Sequence, residues 1–494
     1  MKLSFRIVFI QNYFGLMIPS ITINRYLFFL TIGSLLFVFV ACSNSYVDDI
    51  DRGGGYKYKP GYPELRVVAS GFIDQNDDAF INIASEIVYG SLVFKKRDSI
   101  YVARAFINYQ ILDLDNPQNI IETKEYPILI TDRSNRLSYD QSTYKVERNF
   151  EVHPGNFKIV TSITDENTGK QISRTSNLFI PDPTEDVNNI TNIRIFTKKK
   201  LENSGYISVA TYDVQNDIDS IKFVFQITNN KSTKPLTINT KLLKFEADTT
   251  IARPMNYNNY TPSSIQYKGI DYSEEEEINS NRRVLTNQGN VSIEFTFPKL
   301  ERGNYRFEVF SDLGEENELY KARDFSIKSS SYPSLSTARE LARPLYYLMS
   351  KKEYEQLMAI ENDLELKKAI DRFWLKNIGN SQIAKNVIEL YYERVEEANK
   401  QFSNFKEGWK TDQGMMYILF GPPWYVDAGL KTKVWSYSYT SQDPTKNFYF
   451  TTPRLNNKFF PFDNYLLERG SFYYNVMYQQ IDFWRTGLIL QRDL

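Results

Sequence analysis

The sequence contains one cysteine, Cys42, and one histidine, His153, among 494 residues. A single cysteine excludes disulfide bonds within the chain, and these two residues are too few for a metal site built from histidine and cysteine. A nucleophile activated by histidine would have to use His153, which lies in His-Pro-Gly-Asn and is typical of a turn. We therefore predict no catalytic residue, no metal and no cofactor, in a protein that is not an enzyme.

An excess of one charge is also lacking, because the formal net charge is -1. No overall field attracts the chain to nucleic acid or to an anionic membrane surface, so we expect no nucleic-acid partner. Aromatic residues are abundant instead, with 35 Tyr and 34 Phe, and they favour β-rich domains. The length of 494 residues predicts several domains.

One long uncharged apolar run occupies residues 26–41 behind Arg25. A positive flank, an apolar core and a small residue before Cys42 are typical of a secretory signal peptide over residues 1–41. Ala41-Cys42 resembles the lipobox of bacterial lipoproteins, although Phe39 stands where an aliphatic residue is usual. The alternatives are a signal anchor that contains the cysteine and, for the start of translation, Met17.

The lipobox resemblance implies that Cys42 is lipidated and attaches the protein to the outer membrane, on its periplasmic or cell-surface face. Residues 42–63 then form a flexible tether, with Gly-Gly-Gly at 53–55. Its acidic residues at 48–51 resemble surface-export signals of some envelope lipoproteins, or they belong to a solvated linker.

Residues 64–182 read as a first β region with turn residues between short runs. Its predicted strands are 80–84, 87–94, 101–112, 126–130, 144–152, 157–164 and 172–180. This many strands without a helical segment predict an immunoglobulin-like β-sandwich.

Residues 187–328 form a second β region, with its strongest strand patterns at 205–212, 221–227, 291–297, 305–310 and 320–327. Pro-Gly-Asn-Phe at 154–157 and Arg-Gly-Asn-Tyr at 302–305 indicate either a tandem repeat or a chance likeness of two turns that need positive φ. Between the strands, residues 250–283 read as a long loop. Its four glutamates at 274–277 suggest a cation site or, more simply, a solvated surface loop.

Residues 335–494 change to helical periodicity and then to a very aromatic, β-like composition. Thr337 with Glu340 and Ser350 with Glu353 predict two capping boxes. Apolar residues at helical spacing over 384–402 predict an amphipathic helix of about six turns. The overall fold class is thus mainly β, with two immunoglobulin-like β-sandwich domains before a helix-plus-antiparallel-β domain.

Gly-Trp-Lys-Thr-Asp at 408–412 is followed by Phe-Gly-Pro-Pro at 420–423. With Gly414 and Tyr417 between them, these residues resemble the signature of the GWxTD-domain family. Trp374, the helix near 391–402 and Trp435 also fit that resemblance. It implies a secreted envelope lipoprotein and brings no settled biochemical activity.

The motif is dense in residues that could be structural or could bind a ligand. The candidates are Gly408, Trp409, Thr411, Asp412, Gly414, Gly421 and Pro422. The structural interpretation is a tight helix-to-strand junction, in which the glycines allow positive φ or close approach and Pro422 stops the strand.

The functional interpretation is a small cleft with Trp409 as platform and Asp412 as acceptor. A glycosidase-like pair of Asp412 with Asp427 or Asp463 is formally available but has no specific support.

From these observations we expect a lipid-anchored scaffold or interaction module, such as an accessory subunit of an outer-membrane assembly, with an envelope protein as partner. The rival is glycan binding or processing through the C-terminal aromatic residues.

Overall fold

The computed structural model describes residues 59–494, apart from 117–118, 186, 201–204, 231–234, 258–268, 312–318, 441–442, 444, 454–461 and 492–494. Contacts divide the chain into the units Met1–Ser45 and Tyr46–Leu494, and every described residue belongs to the second. The predicted signal peptide, Cys42 and most of the predicted tether lie outside the described residues.

The first β region forms two antiparallel sheets around a core that includes Ile83, Ile107 and Tyr109. Its strands are β1 (Leu65–Ile73), β2 (Ala79–Val88), β3 (Lys95–Arg97), β4 (Ile100–Asp113), β5 (Ile120–Asp132), β6 (Thr143–Val152), β7 (Gly155–Asp165) and β8 (Gln171–Ile180). One sheet has the order β1-β2-β6, and the other has the order β3-β4-β7-β8 with β5 beside β4. The prediction of one strand over 87–94 was wrong, because Tyr89–Ser91 form a 3-10 turn that connects β2 of one sheet to β3 of the other.

The second β region is also a sandwich, and its core is rich in phenylalanine. Its strands are β9 (Asn189–Ile190), β10 (Arg194–Lys199), β11 (Ile207–Ser208), β12 (Asp213–Gln215), β13 (Ile218–Asn229), β14 (Leu236–Ala247), β15 (Ile270–Leu285), β16 (Gly289–Pro298), β17 (Gly303–Ser311) and β18 (Tyr320–Lys328). The sheets have the orders β11-β10-β13-β16, with β9 beside β13, and β12-β18-β17-β14-β15. Phe223 of one sheet stacks on Phe307 of the other, with ring centroids 4.3 Å apart.

The two similar Gly-Asn segments begin equivalent strands, β7 and β17, each of which pairs with the last strand of its sandwich. Only Gly155 has a positive φ, of 147°, so the expectation of positive φ at both glycines was wrong. Gly303 simply enters its strand in extended conformation.

The loop predicted at 250–283 was wrong over its second half, because Glu274–277 lie in β15. This strand occupies the edge of its sheet and pairs with β14, where Lys241 and Lys244 lie 3.4 and 3.9 Å from Glu277 and Glu276. Charged side chains protect exposed edges from pairing with other chains. Because the strand exposes nearly every residue from Glu274 onward, its sequence shows no alternation to predict it from.

The C-terminal region combines helices with a four-stranded antiparallel sheet. Its helices are α1 (Ala338–Ala342), α2 (Lys351–Met358), α3 (Asp363–Ile378), α4 (Ser381–Phe402), α5 (Asp412–Phe420) and α6 (Tyr473–Thr486), with 3-10 turns at Arg343–Tyr347, Gly408–Lys410 and Leu488–Gln491. Its strands are β19 (Tyr425–Ala428), β20 (Thr432–Ser436), β21 (Asn447–Thr451) and β22 (Leu466–Leu467). The capping boxes at Thr337 and Ser350 and the six-turn helix are confirmed.

Three fully buried aromatic side chains form the centre of the C-terminal core: Trp374 of α3, Tyr391 of α4 and Trp484 of α6. The ring of Tyr391 lies 5.5 Å from that of Trp374 and 5.1 Å from that of Trp484. The β character predicted after the motif was wrong for α6, where Tyr473, Met477 and Trp484 are buried at helical spacing. Its aromatic composition concealed that spacing.

The predicted fold class is confirmed: the chain is mainly β, with two sandwiches followed by a helix-plus-sheet domain. Along the described ranges, no helix is both long and apolar enough to cross a membrane. A smaller apolar cluster joins the second sandwich to the C-terminal domain, with Tyr212 and Phe245 on one side and Phe405 and Phe462 on the other.

Candidate functional site

The Gly-Trp-Lys-Thr-Asp motif turns the chain from α4 into a second helix, α5. Gly408–Lys410 form a 3-10 turn, and Thr411 is the N-cap of α5. The Thr411 hydroxyl accepts a hydrogen bond from the Gly414 amide at 3.0 Å and donates one to the Gly408 carbonyl at 2.7 Å. This is the usual use of threonine at a helix start.

The β pattern expected within the motif was wrong, because Met415 to Phe420 are helical. Every residue from Gly414 to Phe420 is buried, so α5 has no solvent face and no polar–apolar period. Helix and strand cannot be distinguished by periodicity in such a segment. The motif therefore joins two helices, and β19 begins only after Pro422 and Pro423.

Two motif glycines are required by close approach of backbone to backbone. A Cβ atom on Gly408 would lie 1.9 Å from the Ala398 carbonyl oxygen of α4, and one on Gly414 would lie 1.9 Å from the Gly408 carbonyl oxygen. Real atoms cannot approach so closely, so a larger residue must displace the backbone. Gly421 instead ends α5 with a φ of 83°.

Asp412 makes a buried, two-pronged ion pair with Arg469. Its Oδ1 and Oδ2 atoms accept hydrogen bonds from Arg469 Nη2 and Nη1, both at 2.8 Å, and Oδ2 also accepts from the Leu467 amide at 2.7 Å. The Asp412 side chain is 5% exposed and that of Arg469 is 0% exposed. Both carboxylate oxygens are thus occupied within the protein.

Trp409 is also buried, and its backbone is fixed from two sides. Its amide donates to Asn399 Oδ1 at 3.2 Å, and its carbonyl accepts a hydrogen bond of 2.7 Å from the Tyr347 hydroxyl. Burial, followed by the nearby charge of Asp412, raises the pKa of the Tyr347 phenol well above its usual value, so it stays a donor. These contacts favour the structural interpretation of the motif.

The C-terminal end of α5 is closed by side chains from two other helices. The Ile418 carbonyl accepts a hydrogen bond from Arg394 of α4, and the Leu419 carbonyl accepts from Gln480 and Trp484 of α6. Burial lowers the pKa of Arg394 to about 10, which still leaves the guanidinium charged at neutral pH. A cation at this position complements the negative end of the helix dipole.

The motif also contacts the second sandwich through residues 250–256, part of the predicted loop. The Ala252 amide donates to the Lys410 carbonyl at 2.9 Å, and Arg469 donates to the carbonyls of Arg253 and Pro254. Ala252 and Met255 are buried in the C-terminal core. This half of the segment therefore belongs to the packing of the C-terminal domain.

Glu407 links the two domains electrostatically. Its carboxylate contacts Arg302 of the second sandwich and lies 2.6 Å from Lys410 Nζ. Burial alone would raise the pKa of Glu407, but the positive charges of Lys410, Arg302 and Lys328 lower it to about 2. The group is therefore ionised throughout the neutral range.

Among the described residues, the cavity that Asp412 lines is small. It measures about 30 Å³ and is also lined by Asp248, Thr411 and Asn464, among others, whereas small-molecule sites typically measure about 300–1,000 Å³. Asp427 and Asp463 are exposed, unlike Asp412. Among the described residues, no group of three or more His, Cys, Asp or Glu side chains could hold a metal ion.

The remaining candidate residues, His153 and Cys42, are not part of the motif region. His153 is exposed at a turn of the first sandwich, with its Nδ1 atom 2.7 Å from the Pro154 carbonyl oxygen. Cys42 lies outside the described residues. Arg469 and Tyr347, which hold the motif in place, were missed because they are 57 and 62 residues away from the motif residues they bind.

The described geometry can be compared with known proteins. Residues 312–486 match the family model of the GWxTD domain. The C-terminal region of this chain is a GWxTD domain. No curated protein matches the sequence.

Three solved structures show remote likeness to the chain. Red sea bream transglutaminase is 10% identical, with 55% of this chain and 32% of that chain covered and a TM-score of 0.18. Trypsin-activated alpha-2-macroglobulin from Escherichia coli is 13% identical, with 58% and 17% covered and a TM-score of 0.17. Salmonella alpha-2-macroglobulin reacted with methylamine is 13% identical, with 56% and 17% covered and a TM-score of 0.19. The chain thus spans a third or less of each of these proteins.

An exposed aromatic patch on the GWxTD domain begins directly after the buried motif. It consists of Trp424, Tyr425, Val426, Leu430, Tyr439 and Tyr449. Tyr425 and Tyr439 are 64% and 98% exposed, and the ring of Tyr439 lies 5.1 Å from that of Trp424. Because β19 is an edge strand of the sheet order β19-β20-β21-β22, the patch flanks unpaired strand backbone in the described part of the domain.

A separate groove of about 570 Å³ lies on the same domain between α2, α6 and the segment near Pro254. We call it the tyrosine groove, because Tyr346, Tyr347, Tyr354, Tyr474 and Tyr478 line it, with Met349, Met477 and Ile481. Its volume falls within the range of about 300–1,000 Å³ that is typical of ligand sites.

Proposed function

We propose that this protein is a lipid-anchored component of the bacterial cell envelope whose GWxTD domain binds a partner protein without carrying out catalysis. The observation that carries the proposal is the exposed aromatic patch. Large rings are enriched at the energetic centres of protein interfaces, and the exposed rings of Trp424 and Tyr439 lie 5.1 Å apart here.

The burial of the motif supports the non-catalytic part of the proposal. Asp412 and Trp409 are the motif residues best suited to chemistry, and both are committed to contacts inside the protein. The Tyr437 hydroxyl, close to Tyr439 in sequence, donates a hydrogen bond of 2.8 Å to the carbonyl of the motif residue Gly421. Rigid presentation of the exposed rings would reduce the entropy cost of binding.

The membrane part of the proposal depends on the sequence around Cys42. The lipobox-like Ala41-Cys42 and the glycine-containing tether support an anchor that leaves the folded domains free to reach a partner. Replacing Cys42 with Ser should release the protein from the membrane fraction and abolish labelling by a radioactive fatty acid. Unchanged labelling in this variant would contradict lipidation at Cys42.

Site-specific crosslinking in intact cells tests the protein-binding part. A photoreactive amino acid at Tyr425 or Tyr439 should produce a discrete crosslinked protein. The matched control is the same amino acid at Leu129 of the first sandwich, which is 63% exposed against 64% for Tyr425. The same crosslinked band from both regions, or none from the patch, would contradict the proposal.

Glycan binding is the second candidate, and the pair formed by Trp424 and Tyr439 favours it. Both rings are exposed and lie 5.1 Å apart, so they could stack on the apolar faces of sugars. Retention of the purified protein on envelope polysaccharide, lost when Trp424 and Tyr439 are replaced by Ser, would support this candidate. Such retention without a crosslinked protein would displace the first.

A further inference from the structure

We propose that the tyrosine groove binds an extended, uncharged peptide segment that contains proline in the polyproline II conformation. This inference is independent of the aromatic patch, because the lining residues of the two surfaces do not overlap. The argument depends on the shape of the groove, on its hydrogen-bonding groups and on its charge.

The groove is built on elements that other contacts hold in place. Arg485 of α6 donates hydrogen bonds of 2.8 and 3.1 Å to Glu353 of α2, which fixes the two helical walls against each other. Tyr347 in the lining is bound to the motif through the Trp409 carbonyl. Tyr354 donates to the Arg343 carbonyl at 3.2 Å. A site with a fixed shape binds with a smaller loss of entropy.

Three further tyrosines supply donors. Within the described residues, the hydroxyls of Tyr346, Tyr474 and Tyr478 make no hydrogen bond, although their rings pack on neighbours. Tyr474 and Tyr478 lie one turn apart on α6 with nearly parallel rings, and they are 59% and 64% exposed. They form an aromatic wall whose hydroxyls are available to a ligand.

A polyproline II segment has the complementary chemistry. Its backbone carbonyls make no internal hydrogen bonds and need donors, and its proline rings pack on aromatic faces. Phenol hydroxyls donate to such carbonyls, while Met349, Met477 and Ile481 offer an apolar surface. Aromatic-lined grooves are a recurrent way of binding proline-rich peptides.

The charge of the groove favours a neutral ligand. Lys351 and Glu355 are its charged lining residues, and they lie 3.8 Å apart on the surface of α2. A sugar would need several amides and carboxylates for its hydroxyls, and Asn256 is the one amide among the lining residues. An acyl chain has no group that could accept hydrogen bonds from the tyrosine hydroxyls. The peptide therefore fits the lining better than either alternative.

Titration of the full-length protein in detergent micelles with a short oligoproline peptide tests the proposal. Saturable binding, followed by tyrosine fluorescence or calorimetry, is expected for the oligoproline but not for a glycine-serine peptide of equal length. Replacing Tyr474 and Tyr478 together by Ala should weaken binding by about tenfold or more, which corresponds to about 1.4 kcal/mol, because two ring contacts are lost. Replacing both by Phe should weaken it less, about threefold to tenfold, because only the hydroxyls are lost.

The matched control is Tyr425→Ala, since Tyr425 and Tyr478 are both 64% exposed and Tyr425 lies outside the groove. This variant should bind oligoproline with the same affinity as the unaltered protein. All variants should have the same melting temperature as the unaltered protein. The proposal is overturned if oligoproline does not bind, if Tyr425→Ala weakens binding as much as the groove variant, or if a soluble oligosaccharide or palmitate binds in the groove where oligoproline does not.

Discussion

Two neighbouring stretches of the GWxTD domain differ in how their side chains are placed: those of residues 408–421 are mostly buried, and several of residues 424–439 are exposed. The first stretch is dense in Gly, Trp, Thr and Asp, and nearly all of it is buried with its polar atoms bound inside the protein. The second stretch has no such motif, but its aromatic side chains Trp424, Tyr425 and Tyr439 are exposed to solvent. A dense motif can therefore mark a structural junction, while the surface available to partners lies beside it.

Among substitutions in the two stretches, Asp412→Ala should cause the largest loss of unfolding free energy. Arg469 would lose the carboxylate that binds its buried guanidinium, and breaking a buried ion pair by removing one partner typically costs about 3–5 kcal/mol of unfolding free energy. Urea unfolding of the full-length protein measures it. The control Asp427→Ala, at an exposed carboxylate, should change stability by less than about 0.5 kcal/mol. Equal stability of the two variants would show that the ion pair does not hold the junction together.

The Asp412–Arg469 pair can be examined further with a double variant, Asp412→Leu with Arg469→Met. Removing both charges leaves no unpaired ion, so the double variant should lose less stability than Asp412→Ala alone. A double variant that is the least stable of the series would indicate that the hydrogen bonds to Leu467, Arg253 and Pro254 matter more than the charge balance.

Replacing Gly414 by Ala should have the next largest effect. The added Cβ would lie 1.9 Å from the Gly408 carbonyl oxygen, and overpacking typically costs about 1–3 kcal/mol, with the upper end expected where backbone must move. Gly205→Ala is the control, because no atom of the described residues lies within 4 Å of the added Cβ there. Thermal unfolding should separate the two variants clearly, and a Gly414→Ala protein as stable as the control would contradict the close helix packing.

Acid should weaken the link between the motif and the second sandwich. Glu407 has a pKa of about 2 in the folded protein against an ordinary 4.5, so its stabilising contribution is complete above about pH 4.5 and is lost as the pH falls toward 2. Glu407→Gln should cost about 2 kcal/mol at neutral pH and flatten the loss of stability over that acid range.

Urea unfolding at a series of pH values gives the comparison, with Glu301→Gln as the control. Glu301 is 85% exposed, and its ion pair with Lys244 should contribute little. If the acid dependence of the Glu407→Gln protein matches that of the unaltered protein, the low pKa of Glu407 does not contribute to stability.

The smallest effect on stability is expected on the exposed side. Replacing Tyr425 and Tyr439 by Ser should change the unfolding free energy by less than about 0.5 kcal/mol, because both side chains are largely solvated already. With the photoreactive amino acid placed at Trp424 instead, whose ring lies 5.1 Å from that of Tyr439, this variant should lose its crosslinked partner, whereas Leu129→Ser should retain it. Loss of stability comparable to that of Asp412→Ala would mean that the patch belongs to the core.

Local signals in the sequence were sufficient for several parts of this protein. The capping boxes at Thr337 and Ser350 and the apolar stripe of α4 were predictable, because each depends on residues within one or two turns. The two sandwiches followed from strand patterns and turns, and the motif itself identified the GWxTD domain. The α4 stripe and the strand patterns are readable because these segments have one buried face and one solvated face.

Only the tertiary structure decided what the motif does. The helix over Asp412–Phe420 is buried all round, and the edge strand over Ile270–Leu285 is largely exposed on both faces, so neither carries a readable period. The partner of Asp412 lies 57 residues away, and no local pattern could have indicated it. Which aromatic residues face solvent also depends on how the sheet packs against the helices. Composition supplied the rings, and packing determined that Trp409 is buried while Tyr439 is exposed.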